Sequence, residues 1–208
     1  MKIAVVAASG KAGRLITDEL IARGHDVTAV VRGENRSNAP HAILRDILDI
    51  TAEDLDGFEA VVDAFGAFTP ETLHLHSASA SHLADLAATT GVHLYIVGGA
   101  GSLLVDEDGT RLLDTPDFPD EFRPLATAQA EEAALLKTRE DAAWTFVSPA
   151  AVFLEEGERR GSYVLGDNRF TVGEDGTSAL SYADYAIAIA DLVEDGGHVR
   201  EHLSLRWA

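Results

Sequence analysis

Gly10 and Gly13 stand three residues apart, between an apolar run at 3–6 and a stretch where Ala12, Leu15, Ile16 and Leu20 recur at helical spacing. A strand, a glycine turn and a helix in that order make an anion site. The helix N-terminus offers unpaired N–H groups and the positive end of its dipole. Glycine lets the backbone close on a phosphate with no side chain in between. The diphosphate of a dinucleotide fits this chemistry, and the expected contacts are Ala7, Ser9, Gly10, Lys11, Ala12 and Gly13, with a hydroxyl donor at Ser9. Glycine is usual where this chain has Ala7; the added methyl asks for a different backbone path or a looser fit.

The second strand, at 26–31, ends on Arg32. An acidic residue there would hold the free ribose 2′-hydroxyl of NAD and repel a 2′-phosphate. A guanidinium does the opposite, gripping phosphate through paired N–H donors. Arg32, with Arg36 in the following loop, therefore favours NADP(H) over NAD(H). The competing reading is an Arg32 that caps the strand and pairs with a neighbouring carboxylate. After a short strand at 42–44, Asp46 is placed to accept from the adenine amino group while Ile47 packs near the ring; a solvated loop aspartate is the alternative.

Other constellations carry little. His74 and His76 lie two apart, on different faces of a helix, so no metal site is expected. Asp106-Glu107-Asp108-Gly109 lacks the rest of a calcium loop, and neither Gly-x-Ser-x-Gly nor His-Glu-x-x-His occurs.

The elements that must position these residues alternate strand and helix, which predicts a three-layer α/β Rossmann fold, a doubly wound, mainly parallel sheet with helices on both faces. Expected strands lie at 3–6, 26–31, 42–44, 58–65, 93–97 and 144–148. Expected helices run from the glycine turn to about residue 23, and over 70–90 and 121–141, with a helical turn at 51–56. Beyond Pro149 the pattern changes to short β pieces at 163–165 and 170–172, a turn at Asp175-Gly176, a helix at 181–194 and a last strand at 203–205. The chain of 208 residues is expected to be one domain, with 150–208 contributing a small substrate-side lobe.

The formal charge is −19, from 35 acidic against 16 basic residues, with no cysteine. Thiolate, disulfide and iron–sulfur chemistry are excluded, and so large a negative charge argues against nucleic-acid binding. Met1-Lys2 leads straight into the first strand, with no span of membrane length. The expectation is a cytoplasmic monomer or homodimer acting on a small molecule.

Seven stretches together resemble the atypical short-chain dehydrogenase/reductase superfamily: VVAASGKAG (5–13), VVR (30–32), LRDILD (44–49), IVGGAGSL (96–103), DTPDFPDEFRP (114–124), WTFVSPAAVF (144–153) and LSYADYA (180–186). The branch they resemble is that of small NAD(P)H-binding, NADH-flavin reductase-like proteins, related to NmrA-like and biliverdin-reductase-B-like proteins. The resemblance implies about seven strands in the order 3-2-1-4-5-6, with the cofactor across their carboxyl ends. It also implies cofactor contacts at Ala64 and Phe65, at Gly98, Gly99 and Ser102, and at Ser148, Pro149 and Ala150.

Dehydrogenases of this superfamily use a serine with Tyr-x-x-x-Lys. That motif is missing here: position 133, four before Lys137, is alanine, and Phe122 stands where relatives can carry tyrosine. Alcohol–ketone interconversion is therefore disfavoured. A flavin, quinone or similar conjugated acceptor needs only stacking, orientation and a solvent proton, with Phe65, Phe68, Phe118, Phe122 and Phe153 as candidate walls and Ser102 as the candidate catalytic polar contact. The second reading is a non-catalytic dinucleotide-binding redox sensor of the NmrA-like kind.

Overall fold

A computed structural model describes all 208 residues. Strand β1 (Lys2–Val6) is buried on both faces: Ile3 and Val5 point into one apolar layer, Ala4 and Val6 into the other. This near-continuous apolar run marks a parallel strand covered by helices on both sides. Helices α1 (Lys11–Ala22) and α4 (Tyr182–Asp195) pack together on one face, and α2 (Leu75–Thr90) and α3 (Arg123–Leu136) on the other.

The remaining strands are β2 (Asp26–Val31), β3 (His41–Leu44), β4 (Ala60–Asp63), β5 (His93–Val97), β6 (Trp144–Ser148), β7 (Val152–Leu154), β8 (Val164–Gly166), β9 (Ala179–Ser181) and β10 (Glu201–Arg206). The main sheet runs β3-β2-β1-β4-β5-β6-β10-β8, parallel throughout except where β8 pairs antiparallel to β10. The expected 3-2-1-4-5-6 core is present, and the sheet has eight strands rather than about seven. The chain reverses direction of winding at β1, so the carboxyl ends of β1 and β4 open a crevice, the place where ligands bind in such sheets.

Past β6, α4 and β10 join the main layers. Only β7 and β9 form a separate small sheet, paired in parallel. Asp184 anchors this region: its carboxylate accepts from the Arg160 and Gly161 amides, the Ser181 hydroxyl and the Trp207 indole. Those donors hold the buried Asp184 carboxyl below the usual carboxylate range despite desolvation.

Several expected elements differ. The expected helical turn at 51–56 is a run of turns, because the Leu55 and Asp56 amides reach back three residues, to the Ala52 and Glu53 carbonyls, and no four-residue bond follows. Helix α2 starts at Leu75, not near Pro70, since the Leu75 and His76 amides reach back only three residues, to the Thr72 and Leu73 carbonyls, in a run of turns. Helix α3 spans 123–136 rather than 121–141. Residues 170–172 form no strand; Arg169 makes an isolated bridge to Leu104.

The turn after β1 is strained at one residue. Ala7 has φ of 54°, in the left-handed region where a side chain costs about 1–2 kcal/mol. Its amide donates to the Val30 carbonyl at 2.9 Å and its carbonyl accepts from the Gly10 amide at 2.8 Å, which fixes the strain in place. Replacement by glycine removes that strain but adds freedom to the unfolded chain. Ala7→Gly is expected to stabilise the fold by about 0.5–1 kcal/mol, raising Tm by about 2 °C in a domain of this size. Thermal denaturation checks this; a lower Tm would show that the methyl is needed.

Candidate functional site

A single cavity of about 1220 Å³ runs along the carboxyl ends of the strands. That exceeds the roughly 300–1,000 Å³ typical of a site for one drug-sized ligand. One end lies beyond β2 and β3, the middle over the glycine turn, and the other end between the β5–α3 connection and the β7 segment.

In the middle, α1 opens on Gly10 with no side-chain cap. The amides of its first turn therefore lack partners, and Gly10, Lys11 and Ala12 line the cavity there. Gly13 does not line it. Its Cα is pressed against the turn that follows β1, where an added Cβ would run into the Ala7 carbonyl and approach the Ala8 Cα to 2.9 Å. Gly10 serves the ligand side and Gly13 the helix–strand packing. The Ser9 hydroxyl accepts from the Arg36 amide at 2.9 Å and faces the Glu34 carbonyl at 3.4 Å, so it ties the β2–β3 loop to the turn. Lys11 forms an ion pair with Glu155, reached from the β7 side.

Three arginines, Arg32, Arg36 and Arg45, gather at the first end. The Arg32 side chain is 81% exposed, with its nearest carboxylate, Asp46, 3.9 Å away. The Arg36 guanidinium has no ion pair, while Arg45 is held by Asp54 at 3.2 Å. Ile47 is buried and lines the cavity; Asp46 sits just outside, starting a short helical turn over Ile47–Asp49. Arg45 was legible only as part of LRDILD.

At the other end Ala64, Phe65, Gly98, Gly99, Pro149 and Ala150 all line the cavity, and so do Phe68, Phe118, Phe122 and Phe153. Phe68 and Phe122 are 76% and 56% exposed, unusual for phenylalanine and fitting a ring surface that awaits a partner. Phe153 also packs on Tyr182, with ring centroids 3.9 Å apart. Tyr182 and Gln129 line the cavity and were missed: Tyr182 was visible only as part of LSYADYA, and Gln129 sits in no motif. Gly98 and Gly99 keep the floor open: a Cβ would strike the Phe146 ring at the first and the Gln129 carboxamide at the second.

Ser102 and Ser148 are not at the cavity surface. The two hydroxyls donate to the Gly99 carbonyl at 3.1 and 2.8 Å, and His202 Nε2 lies 2.9 Å from the Ser148 oxygen. Burial pushes His202 down to about 3, so it is neutral. Ser102 was expected beside the reacting ring; instead its hydroxyl is turned beneath the floor, where it helps fix the Gly98–Gly99 backbone.

Behind the Phe65 wall lies a second buried polar group. Asp63, His76 and Glu132 are each 2% exposed. Asp63 accepts from the Phe65 amide at 2.9 Å, His76 Nε2 faces the Ala67 carbonyl at 3.1 Å, and His76 Nδ1 lies 3.4 Å from Glu132. Burial, then the Glu132 charge, pushes Asp63 up to about 7. Burial also raises Glu132, and the Glu132 hydrogen bond and charge raise His76 against its own desolvation. All three bind protons more tightly folded than unfolded, so they destabilise the fold as pH rises from about 4 toward 8. Asp63→Asn is expected to flatten the fall in Tm between pH 5.5 and 8. An unchanged slope in the variant would remove Asp63 from the linkage.

The chain is similar in sequence and in overall shape to known proteins. A Streptococcus pneumoniae protein provisionally named an NADH-flavin reductase is 53% identical, with a TM-score of 0.97 over 100% of both chains. The uncharacterized protein YwnB of Bacillus subtilis is 46% identical over 99% of this chain and 98% of its own length. A Bacteroides thetaiotaomicron protein provisionally named an epimerase is 32% identical, with a TM-score of 0.86 over 99% of this chain and 96% of that one. No helix is long and apolar enough to cross a membrane. A family model described as NAD(P)H-binding matches residues 7–195. With the uncapped α1 amides opening on the crevice, the chain belongs to that NAD(P)H-binding family, within the atypical short-chain dehydrogenase/reductase-like proteins.

Proposed function

We propose that this protein is an NADPH-dependent oxidoreductase that reduces a small, planar, conjugated acceptor. The carrying observation is the single cavity that joins three arginines, an uncapped helix N-terminus and an aromatic chamber. Arg32 and Arg36 would hold the 2′-phosphate, the α1 amides with Lys11 the diphosphate, and Ala64, Gly98, Pro149 and Ala150 the nicotinamide end. When bound, the reduced nicotinamide supplies one hydride, two electrons with one hydrogen, which with one proton from water takes a quinone to its hydroquinone or an isoalloxazine to its dihydro form.

The chain's own part is orientation and exclusion of water. Gly98 and Gly99 lie between Phe65 on one side and Phe153 on the other, and the hydroxyl pair beneath fixes their backbone. The Tyr-x-x-x-Lys motif that would protonate an alkoxide is missing, and the tyrosine that lines the cavity, Tyr182, is held above the usual phenol range by burial and the Glu155 charge while Lys11 is paired with that carboxylate, which favours acceptors whose reduced form takes its proton from water. The name of the Streptococcus pneumoniae neighbour points the same way. The aromatic chamber favours a reductase over a sensor without turnover, since a sensor needs no room beside the dinucleotide.

The test is NADPH oxidation with a panel of quinones, flavins, simple ketones and sugars. Turnover is expected with the conjugated acceptors and not with the ketones. Turnover of ketones alone, or of nothing at high enzyme concentration, would overturn the assignment.

A further inference from the structure

The charges lining the cavity are not spread evenly. Its basic side chains are Lys11, Arg32, Arg36 and Arg45, all from the glycine turn or the ends of β2 and β3. The far chamber, formed by Leu112, Thr115, Asp117, Phe118, Phe122 and Gln129, carries a carboxylate and no cation. With strands spaced at about 4.8 Å, β1 and β4 hold Arg32, Arg36 and Arg45 more than a Debye length of about 8 Å from the chamber, while Lys11, which reaches toward β7, is neutralised by its ion pair with Glu155.

The nearest cation to the chamber is already in use. Arg123 donates to the Leu113 and Phe118 carbonyls and pairs with Asp120. The start of α3 offers little to an anion either. The Arg123 amide donates to the Asp120 carbonyl, the Ala126 amide to the Phe122 carbonyl, and Pro124 has no N–H, which leaves the Leu125 amide as the one donor of that turn without a backbone partner. The whole chain adds a net charge of −19. The free polar side chain in the chamber is the Gln129 carboxamide, which makes no hydrogen bond and lies over Gly99. A neutral amide is suited to a carbonyl oxygen.

Resting on the acceptor reading above, we propose that the chamber selects an uncharged conjugated ring, a quinone or an unphosphorylated isoalloxazine, and rejects flavin nucleotides that carry phosphate. The aromatic walls hold the ring, Gln129 receives a ring carbonyl, and Asp117 with the surrounding negative field repels an anionic tail.

Riboflavin and FMN share one ring system and differ by a phosphate, so they form a matched pair. The protein saturated with NADP+ is titrated with each, following quenching of flavin fluorescence, and NADPH oxidation is measured with riboflavin, FMN and menadione. FMN is expected to bind about tenfold more weakly than riboflavin, a gap that narrows in high salt. Menadione turns over with a KM insensitive to salt. Asp117→Lys narrows the riboflavin–FMN gap several-fold, and Gln129→Leu raises the KM for menadione while NADPH affinity stays unchanged.

FMN binding as tightly as riboflavin overturns the charge selection while leaving the reductase reading intact. Failure of every ring compound to bind beside NADP+ overturns both.

Discussion

Gly13→Ala will lose about 3 kcal/mol of stability and its affinity for dinucleotide together. The added methyl has nowhere to go. It is aimed at the Ala7 carbonyl and the Ala8 Cα, which are backbone atoms and cannot rotate away. Relief requires the start of α1 to move away from the Ala7–Ala8 turn, and that opens contacts of the buried Ile16 and Leu20 with the strand layer. It also displaces the amides that meet the diphosphate. Gly10→Ala provides the contrast. Its Cβ would stand 3.1 Å from the Ala7 carbonyl, a contact relieved by a few tenths of an ångström, and its φ of −74° suits any residue. That methyl faces the cavity, so Gly10→Ala should keep nearly all its stability and lose dinucleotide affinity. Denaturant unfolding and coenzyme titration of both variants separate the two roles. Equal stability losses would show that the glycines are not divided between packing and ligand.

The second large effect belongs to Arg32 and Arg36. Hydrogen bonds to a charged group contribute about 1.5–3 kcal/mol each, and the exposure of Arg32 places this pair at the lower end. The Arg32→Ala/Arg36→Ala protein is expected to bind NADPH about 100-fold more weakly, with NADH affinity changed less than threefold. The loss should shrink as salt rises, because the contact is open to solvent. Arg45 is expected to matter less, since Asp54 already holds its guanidinium. A double variant that loses NADPH and NADH affinity alike would place the arginines on the diphosphate or in the fold.

The central strands β1, β2, β4, β5 and β6 were legible because they are apolar on both faces, and α1 has a clear stop in Gly24, with φ of 84°. The glycine turn and the arginine at the end of β2 were legible because both are local in sequence. The rest depends on tertiary partners. Strands β7 and β9 have three residues each and find one another across the 24 residues of chain between Leu154 and Ala179, too short and too distant for periodicity to reveal. Phe170 and Val172 have strand-like residue types but no neighbouring strand. Ser102 looked chemical because of its place after a glycine run; only the fold shows the Gly99 carbonyl already claiming its hydroxyl. The Asp63–His76–Glu132 group draws on three separate elements, and nothing in the spacing of those residues connects them.

The central claim is that a phosphorylated dinucleotide lies along this crevice with its 2′-phosphate among the arginines. Calorimetric titration of the wild-type protein with NADPH, NADH and 2′,5′-ADP tests it without any acceptor. Saturable one-to-one binding of NADPH is predicted, at least tenfold tighter than NADH, with 2′,5′-ADP competing for the same site. No saturable heat with either coenzyme, or NADH binding as tightly as NADPH, would contradict it.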